Sequence, residues 1–179
     1  MTRPVKYDKH YAESAAACGD PFAPFVAFVA GLEEPSSVLD LGCGQGRDAL
    51  LFARAGHRVL GLDISSVGTE QLAAVASAEG LELQARVGDL EEFQASELFD
   101  VVILDRVLHM LPDMGARARA LEQACAATRP GGTMLLSEYA KQHPLIVERF
   151  DTDPGWRLST GAKGFFRADR TAGAPAGAS

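Results

Sequence analysis

The sequence lacks the features that would place it outside the cytosol, in a membrane or on a nucleic acid. It has 3 cysteines in 179 residues, Cys18, Cys43 and Cys125, with no C-x-x-C pair and no Cys/His grouping at zinc spacing. No disulfide framework and no metal site are therefore expected, and the thiols read as those of a reduced, cytoplasmic protein. No apolar run approaches the roughly 20 residues that span a bilayer. The apolar stretch over 21–30 is short, and no cleavable leader is recognisable, so a cytoplasmic location without membrane attachment is expected. Dense Lys/Arg runs are missing too. The net charge of −7 and a pI near 5.1 disfavour a nucleic-acid surface. There are no internal repeats.

What is present is an alternation of short β-branched runs with longer helical patterns, the signature of a parallel sheet with crossover helices. Strands are predicted over 37–41, over 58–62 ending at Asp63, over 82–87 ending at Gly88-Asp89, over 99–104 and over 133–137. Helices are predicted over 47–55, stopped by Gly56, over 69–79 with Leu72, Val75 and Ala76 on one face, and over 115–128. Arg129-Pro130-Gly131-Gly132 reads as a turn. Residues 156–160 and 164–168 read as a closing hairpin around Gly161. Residues 1–170 are expected to be one domain: a helical cap over 1–35, a ligand-binding core over 36–139 and the hairpin over 155–168. The Ala/Gly-rich tail over 171–179 is expected to be disordered. In the cap, Tyr7 and Tyr11 fall one helical turn apart. Phe22, Phe25 and Phe28 have the spacing of a core-facing stripe.

The informative stretch is Val38-Leu39-Asp40-Leu41-Gly42-Cys43-Gly44-Gln45-Gly46-Arg47: strand, glycine-rich turn, helix. Glycines there allow positive φ and remove the Cβ atoms that would block a ligand. Amides at the helix start favour an anionic group. Alone, such a turn is modest evidence. Carboxylates in register raise its value, because Asp63 ends the second strand, where it can accept from ribose hydroxyls, and Asp89-Leu90 follows the third. Ligands in open α/β sheets bind at those carboxyl ends.

With these residues in view, the sequence resembles the class I S-adenosylmethionine-dependent methyltransferases. Gly42-Cys43-Gly44-Gln45-Gly46 matches their first motif, G-x-G-x-G, while Asp63-Ile64 and Asp89-Leu90 match the ribose and adenine positions. Residues 99–104 resemble the fourth-strand motif and Arg129-Pro130-Gly131-Gly132 the turn before the fifth strand. Gly46-Arg47-Asp48-Ala49-Leu50 and Gly56-His57-Arg58-Val59 are similar to the tellurite-resistance type of small-molecule methyltransferase. The resemblance implies a Rossmann-like α/β three-layer sandwich. Its seven-stranded sheet would run 3-2-1-4-5-7-6 with the last strand antiparallel. It implies S-adenosyl-L-methionine as cofactor and methyl transfer to a small-molecule acceptor by in-line displacement.

The cofactor would be held by Asp40, Gly42, Cys43, Gly44, Arg47, Asp63, Ile64, Asp89, Leu90 and Asp105. Two readings stand for Asp40, ordering the loop or touching the ligand. Two stand for Arg47, reaching the methionine carboxylate or lying solvated in the first turn. Asp105 either accepts from the cofactor's ammonium or caps a helix. No catalytic residue is assigned. His109 is the candidate base if the acceptor carries a proton, although a packed or cofactor-facing histidine is the blander reading; Glu138 and Tyr139 are candidates to face the acceptor. A non-catalytic S-adenosylmethionine-binding sensor or partner subunit is the alternative. An NAD-dependent oxidoreductase is disfavoured because its glycines would follow G-x-G-x-x-G. Asp63→Ala is expected to weaken cofactor binding while leaving the fold intact. Neither the acceptor nor the oligomeric state is legible.

Overall fold

A computed structural model describes residues 3–13 and 19–173; Cys18 and the tail from 174 onward lie outside the described residues. Seven strands form one sheet in the order β3-β2-β1-β4-β5-β7-β6, the order the resemblance implies. The chain divides into two compact units, residues 1–92 and 93–179.

The first unit holds α1 (Arg3–Glu13), α2 (Ala23–Ala30), β1 (Ser37–Leu41), α3 (Arg47–Arg54), β2 (Arg58–Asp63), α4 (Ser66–Glu79) and β3 (Leu83–Val87). Its three strands are parallel, with Leu41 beside Leu62 and Asp63 beside Val87. Val38, Leu39, Leu41, Phe52 and Leu72 are fully buried. The phenylalanine stripe of α2 joins this core, with Phe25 fully buried and the Phe28 ring 6.4 Å from that of Phe52. Helix α4 starts three residues before the predicted position. The Ser65 hydroxyl accepts the Gly68 N–H at 3.1 Å, an N-cap that satisfies a donor the helix cannot pair internally. Buried His57, from the tellurite-type match, accepts the Ser36 N–H through Nδ1 at 3.1 Å and so fastens the entry to β1.

The second unit holds β4 (Phe99–Asp105), a 3₁₀ turn (Leu108–Met110), α5 (Met114–Ala127), β5 (Thr128–Ser137), α6 (His143–Asp151), β6 (Trp156–Thr160) and β7 (Phe165–Arg170). Strands β4 and β5 are parallel, and β7 is antiparallel to both β5 and β6. Three local readings change. The Arg129–Gly132 turn is drawn into β5 as an irregularity, the register passing from Phe99 beside Thr128 to Val101 beside Thr133. The left-handed φ of +81° at Gly131 makes that detour possible. Helix α6 was not anticipated, because its buried stripe is only Ile146 and Phe150, too short to register as a period. Thr171, placed in the tail by its composition, donates to the Gly155 carbonyl from both its N–H (2.9 Å) and its hydroxyl (3.1 Å), closing the hairpin.

Candidate active site

In the first unit the glycine turn is built around Asp63. The Gly42 and Cys43 amides donate to the Leu62 carbonyl at 2.7 and 3.0 Å, which holds the turn against the end of β2. Gly42, Gly44 and Gly46 have φ of +84°, +52° and +89°, values that favour glycine. The Asp63 carboxylate then clamps the turn: Oδ2 accepts the Gly44 N–H and Oδ1 the Ser65 N–H, both at 2.8 Å. Its carbonyl accepts from Gly88 N–H at 2.9 Å, so one residue joins the exits of β1, β2 and β3. Burial raises the Asp63 carboxyl above its ordinary pKa, with the amide hydrogen bonds pulling the other way. Cys43 packs rather than presents itself: it is buried, and a Cβ on Gly61 would come 2.9 Å from its Sγ.

Beneath the turn lies a buried charge group the motif only half announced. Asp40 is buried, and burial foremost, then the negative Asp48, pushes its carboxyl well above the usual carboxylate range. It accepts from the Ala49 N–H, so one amide of the α3 start is occupied by the chain's own carboxylate. Arg47 is not solvated. Its Nη2 lies 2.7 Å from Asp48 Oδ2 with both side chains nearly inaccessible, and its Nε is shared between the two Asp48 oxygens. Asp48 was not singled out from sequence, because a first-turn aspartate is ordinarily a solvated helix-dipole partner.

Helix α1 is pinned beside this turn by contacts without a sequence signature. Asp8 Oδ1 accepts the Ser65 hydroxyl at 2.6 Å and the Val67 N–H at 3.3 Å. The Tyr11 carbonyl accepts the side-chain amides of Gln45 and Gln71, each at 3.3 Å. Tyr11 is buried, and a Cβ on Gly68 would come 3.0 Å from its ring. Past β3, Asp89 Oδ1 accepts the Glu91 N–H at 2.9 Å; Leu90 is buried, and Asp89 and Ile64 are half-buried. The turn backbone, Asp63 and the Asp89-Leu90 step are the residues of this unit that could hold a ribose and an adenine.

In the second unit, Asp105 ends β4 with its side chain buried and Oδ2 3.3 Å from the Arg106 guanidinium. The chain turns sharply there, as Arg106 takes a left-handed φ of +53° and its N–H donates to the Ser137 carbonyl at 2.7 Å. Beyond this corner His109 lies on the 3₁₀ turn. Its Nδ1 is 3.1 Å from Glu138 Oε2. Glu138 is buried: its side chain has 0% exposure against 30% for His109. Tyr139, 57% exposed, sets its ring edge-on to His109 at 4.7 Å.

The methyltransferase domain model matches residues 38–132, from the first residues of β1 into β5. That match covers more than half of the chain. The chain belongs to the class I S-adenosylmethionine-dependent methyltransferase family. A ubiquinone biosynthesis O-methyltransferase of Methylobacterium sp. (strain 4-46) is 36% identical over 114 residues, covering 63% of this chain and 42% of that one. The chain spans about two fifths of the length of the curated relatives it matches. Among solved structures, Burkholderia thailandensis 1,6-didemethyltoxoflavin-N1-methyltransferase has a TM-score of 0.71 at 21% identity, over 96% of this chain and 92% of that one. A TehB-like methyltransferase from Corynebacterium glutamicum has a TM-score of 0.68 at 23% identity, over 94% and 97%. At those identities the two structures show the shared fold. Among the described residues of this methyltransferase, no helix is long and apolar enough to cross a membrane. None of its described His, Cys, Asp and Glu side chains form a group of three or more placed to hold a metal ion.

Proposed function

We propose that this methyltransferase binds S-adenosylmethionine on the turn that Asp63 clamps and transfers its methyl group to a small-molecule acceptor. The observation that carries the reading is the Asp63 carboxylate, fixed at 2.8 Å by the Gly44 and Ser65 amides at the mouth of the glycine turn. With the Gly44, Ser65 and Ile64 amides all donating to it, the carboxylate keeps part of its acceptor capacity for a ribose hydroxyl. Gly42, Cys43 and Gly44 offer close-approaching backbone, Ile64 and Leu90 an apolar face, and Asp89 an acceptor for the adenine amino group. Asp40 enters as the residue that orders the loop, and Arg47 as the partner of Asp48.

When bound, the sulfonium supplies an already activated methyl group, so the chain's own residues need only align the acceptor and exclude water. The O-methyltransferase relative agrees with a small acceptor. Calorimetric titration with S-adenosylmethionine, S-adenosylhomocysteine and NAD tests the reading. Micromolar binding of the two sulfur nucleosides and none of NAD is expected. Binding of NAD alone would overturn it, and binding without methyl transfer to any acceptor would leave a sensor.

A further inference from the structure

We propose that β3 is a docking edge for a second copy of this chain, the two strands pairing antiparallel about Gln84. Strand β3 ends the sheet, with β2 on one side of it and no strand on the other. Its main-chain groups alternate between those sides. The Glu82 carbonyl accepts the Val59 N–H and the Gly88 N–H donates to the Asp63 carbonyl, each at 2.9 Å. The even-numbered residues are thus turned toward β2, and the main chain of Leu83, Ala85 and Val87 is turned outward. The Leu83 N–H is taken up locally by the Leu81 carbonyl at 2.9 Å. The Leu83 carbonyl and the Ala85 and Val87 amides are left for a further strand.

The side chains decide what that strand is. Glu82, Gln84 and Arg86 share one face and are exposed, while Leu83 and Ala85 are half-buried on the other. Neither Glu82 nor Arg86 has an ion-pair partner among the described residues. A charge on an open edge ordinarily repels an identical strand, which is how edges are kept apart. Here the two charges are opposite in sign and flank Gln84 symmetrically.

Two copies related by a two-fold axis pair β3 antiparallel, residue facing residue about the axis. A ladder needs outward-turned residues to face outward-turned ones, so the axis passes through a residue. Centred on Gln84, Glu82 of each copy faces Arg86 of the other. These are the pairs without main-chain hydrogen bonds, where side chains lie closest. Leu83 then faces Ala85, whose N–H reaches the Leu83 carbonyl of the second copy. Leu81 faces Val87 and covers a side chain that is 55% exposed in the single copy. Centred on Leu83 or Ala85 instead, Glu82 would meet Gln84 or Gly88, and Arg86 would meet Gly80 or Gln84. Charge pairing therefore selects both the occupant and its register. Over its C-terminal half α4, which packs on β3, exposes Ala73, Ala74, Ser77, Ala78 and Glu79. Glu79 is bound to Arg54 at 2.7 Å, so the flanking helix offers mostly small side chains. The contact is short, and a dissociation constant on the order of 10–100 µM is expected.

Sedimentation of the full chain from about 1 µM to about 1 mM tests the proposal. The wild type is expected to show a monomer–dimer equilibrium. Glu82→Arg sets two arginines opposite each other at both ends of the ladder, and Arg86→Glu sets two glutamates there. Each alone should raise the dissociation constant about tenfold or more. An equimolar mixture of the two variants restores an attractive pair at both ends. So does the double variant Glu82→Arg/Arg86→Glu, whose net charge is that of the wild type. Both should dimerise as the wild type does, with urea midpoints confirming that every variant is folded. A wild type that stays monomeric throughout would overturn the proposal and leave the edge to a segment of another protein. A dimer that either single reversal leaves intact overturns it too, since that dimer would use another face. So do single variants that stay apart when mixed.

Discussion

Replacing Asp63 with alanine tests the site and its architecture together. From the motif alone, this substitution should spare the fold; the structure adds a cost in stability. Its carboxylate accepts the Gly44 and Ser65 amides at 2.8 Å each and is buried. Alanine leaves two buried donors without partners, at about 1–3 kcal/mol apiece. Against this, the carboxylate carries a burial cost, visible in its raised pKa, which alanine removes. The net loss should therefore be about 2–4 kcal/mol of stability. With a urea slope of about 2 kcal/mol per molar, the unfolding midpoint should fall by about 1–2 M. Asp63→Asn, whose amide oxygen can still accept one N–H, should lose less. Calorimetry on the folded fraction should show S-adenosylhomocysteine affinity reduced about tenfold or more, from the lost charged hydrogen bonds to ribose. An unchanged urea midpoint in Asp63→Ala would refute the clamp. A lowered midpoint with wild-type affinity would refute the ribose assignment while leaving the clamp standing.

Asp40 should make stability depend on pH. It binds its proton more tightly folded than unfolded, so the native state holds the extra proton between the ordinary carboxylate pKa and the raised one. Stability should thus fall as pH rises through that window, by up to about 1.4 kcal/mol per pH unit. Asp40→Asn should flatten this slope in urea midpoints measured from pH 4 to 8, and an unchanged slope would contradict it. Cys125, its thiol pushed up to about 12 mainly by burial, should resist iodoacetamide at pH 8 until the chain is unfolded, as peptide mass spectrometry would show. Gly46→Ala should cost about 2–4 kcal/mol, because it combines a left-handed φ of +89° with a methyl driven into the Leu72 side chain. Adding Leu72→Ala should recover the clash but not the backbone strain. If denaturant unfolding finds the two substitutions additive, the contact is wrong.

Local chemistry made much of this protein readable before any fold was known. Apolar runs bounded by turn residues located β1, β2, β4 and β5, alternation located β3, and two short segments about Gly161 were legible as the hairpin of β6 and β7. The glycine turn and the strand-end carboxylates Asp63 and Asp89 were legible because each lies within a few residues of a strand end. Helix α6 was hidden because two buried side chains make no detectable period.

What the sequence could not supply is pairing across distance. The ties of Asp8 to Ser65 and of Tyr11 to Gln45 and Gln71 join residues separated by whole elements. The burial of Glu138 and its hold on His109 depend on two strand ends lying in register, with Asp105 beside Ser137. Periodicity and turn chemistry act within about a dozen residues and so determined the elements and the cofactor motif. Charge pairing, burial and proton placement depend on which elements become neighbours, and only the tertiary structure decided those.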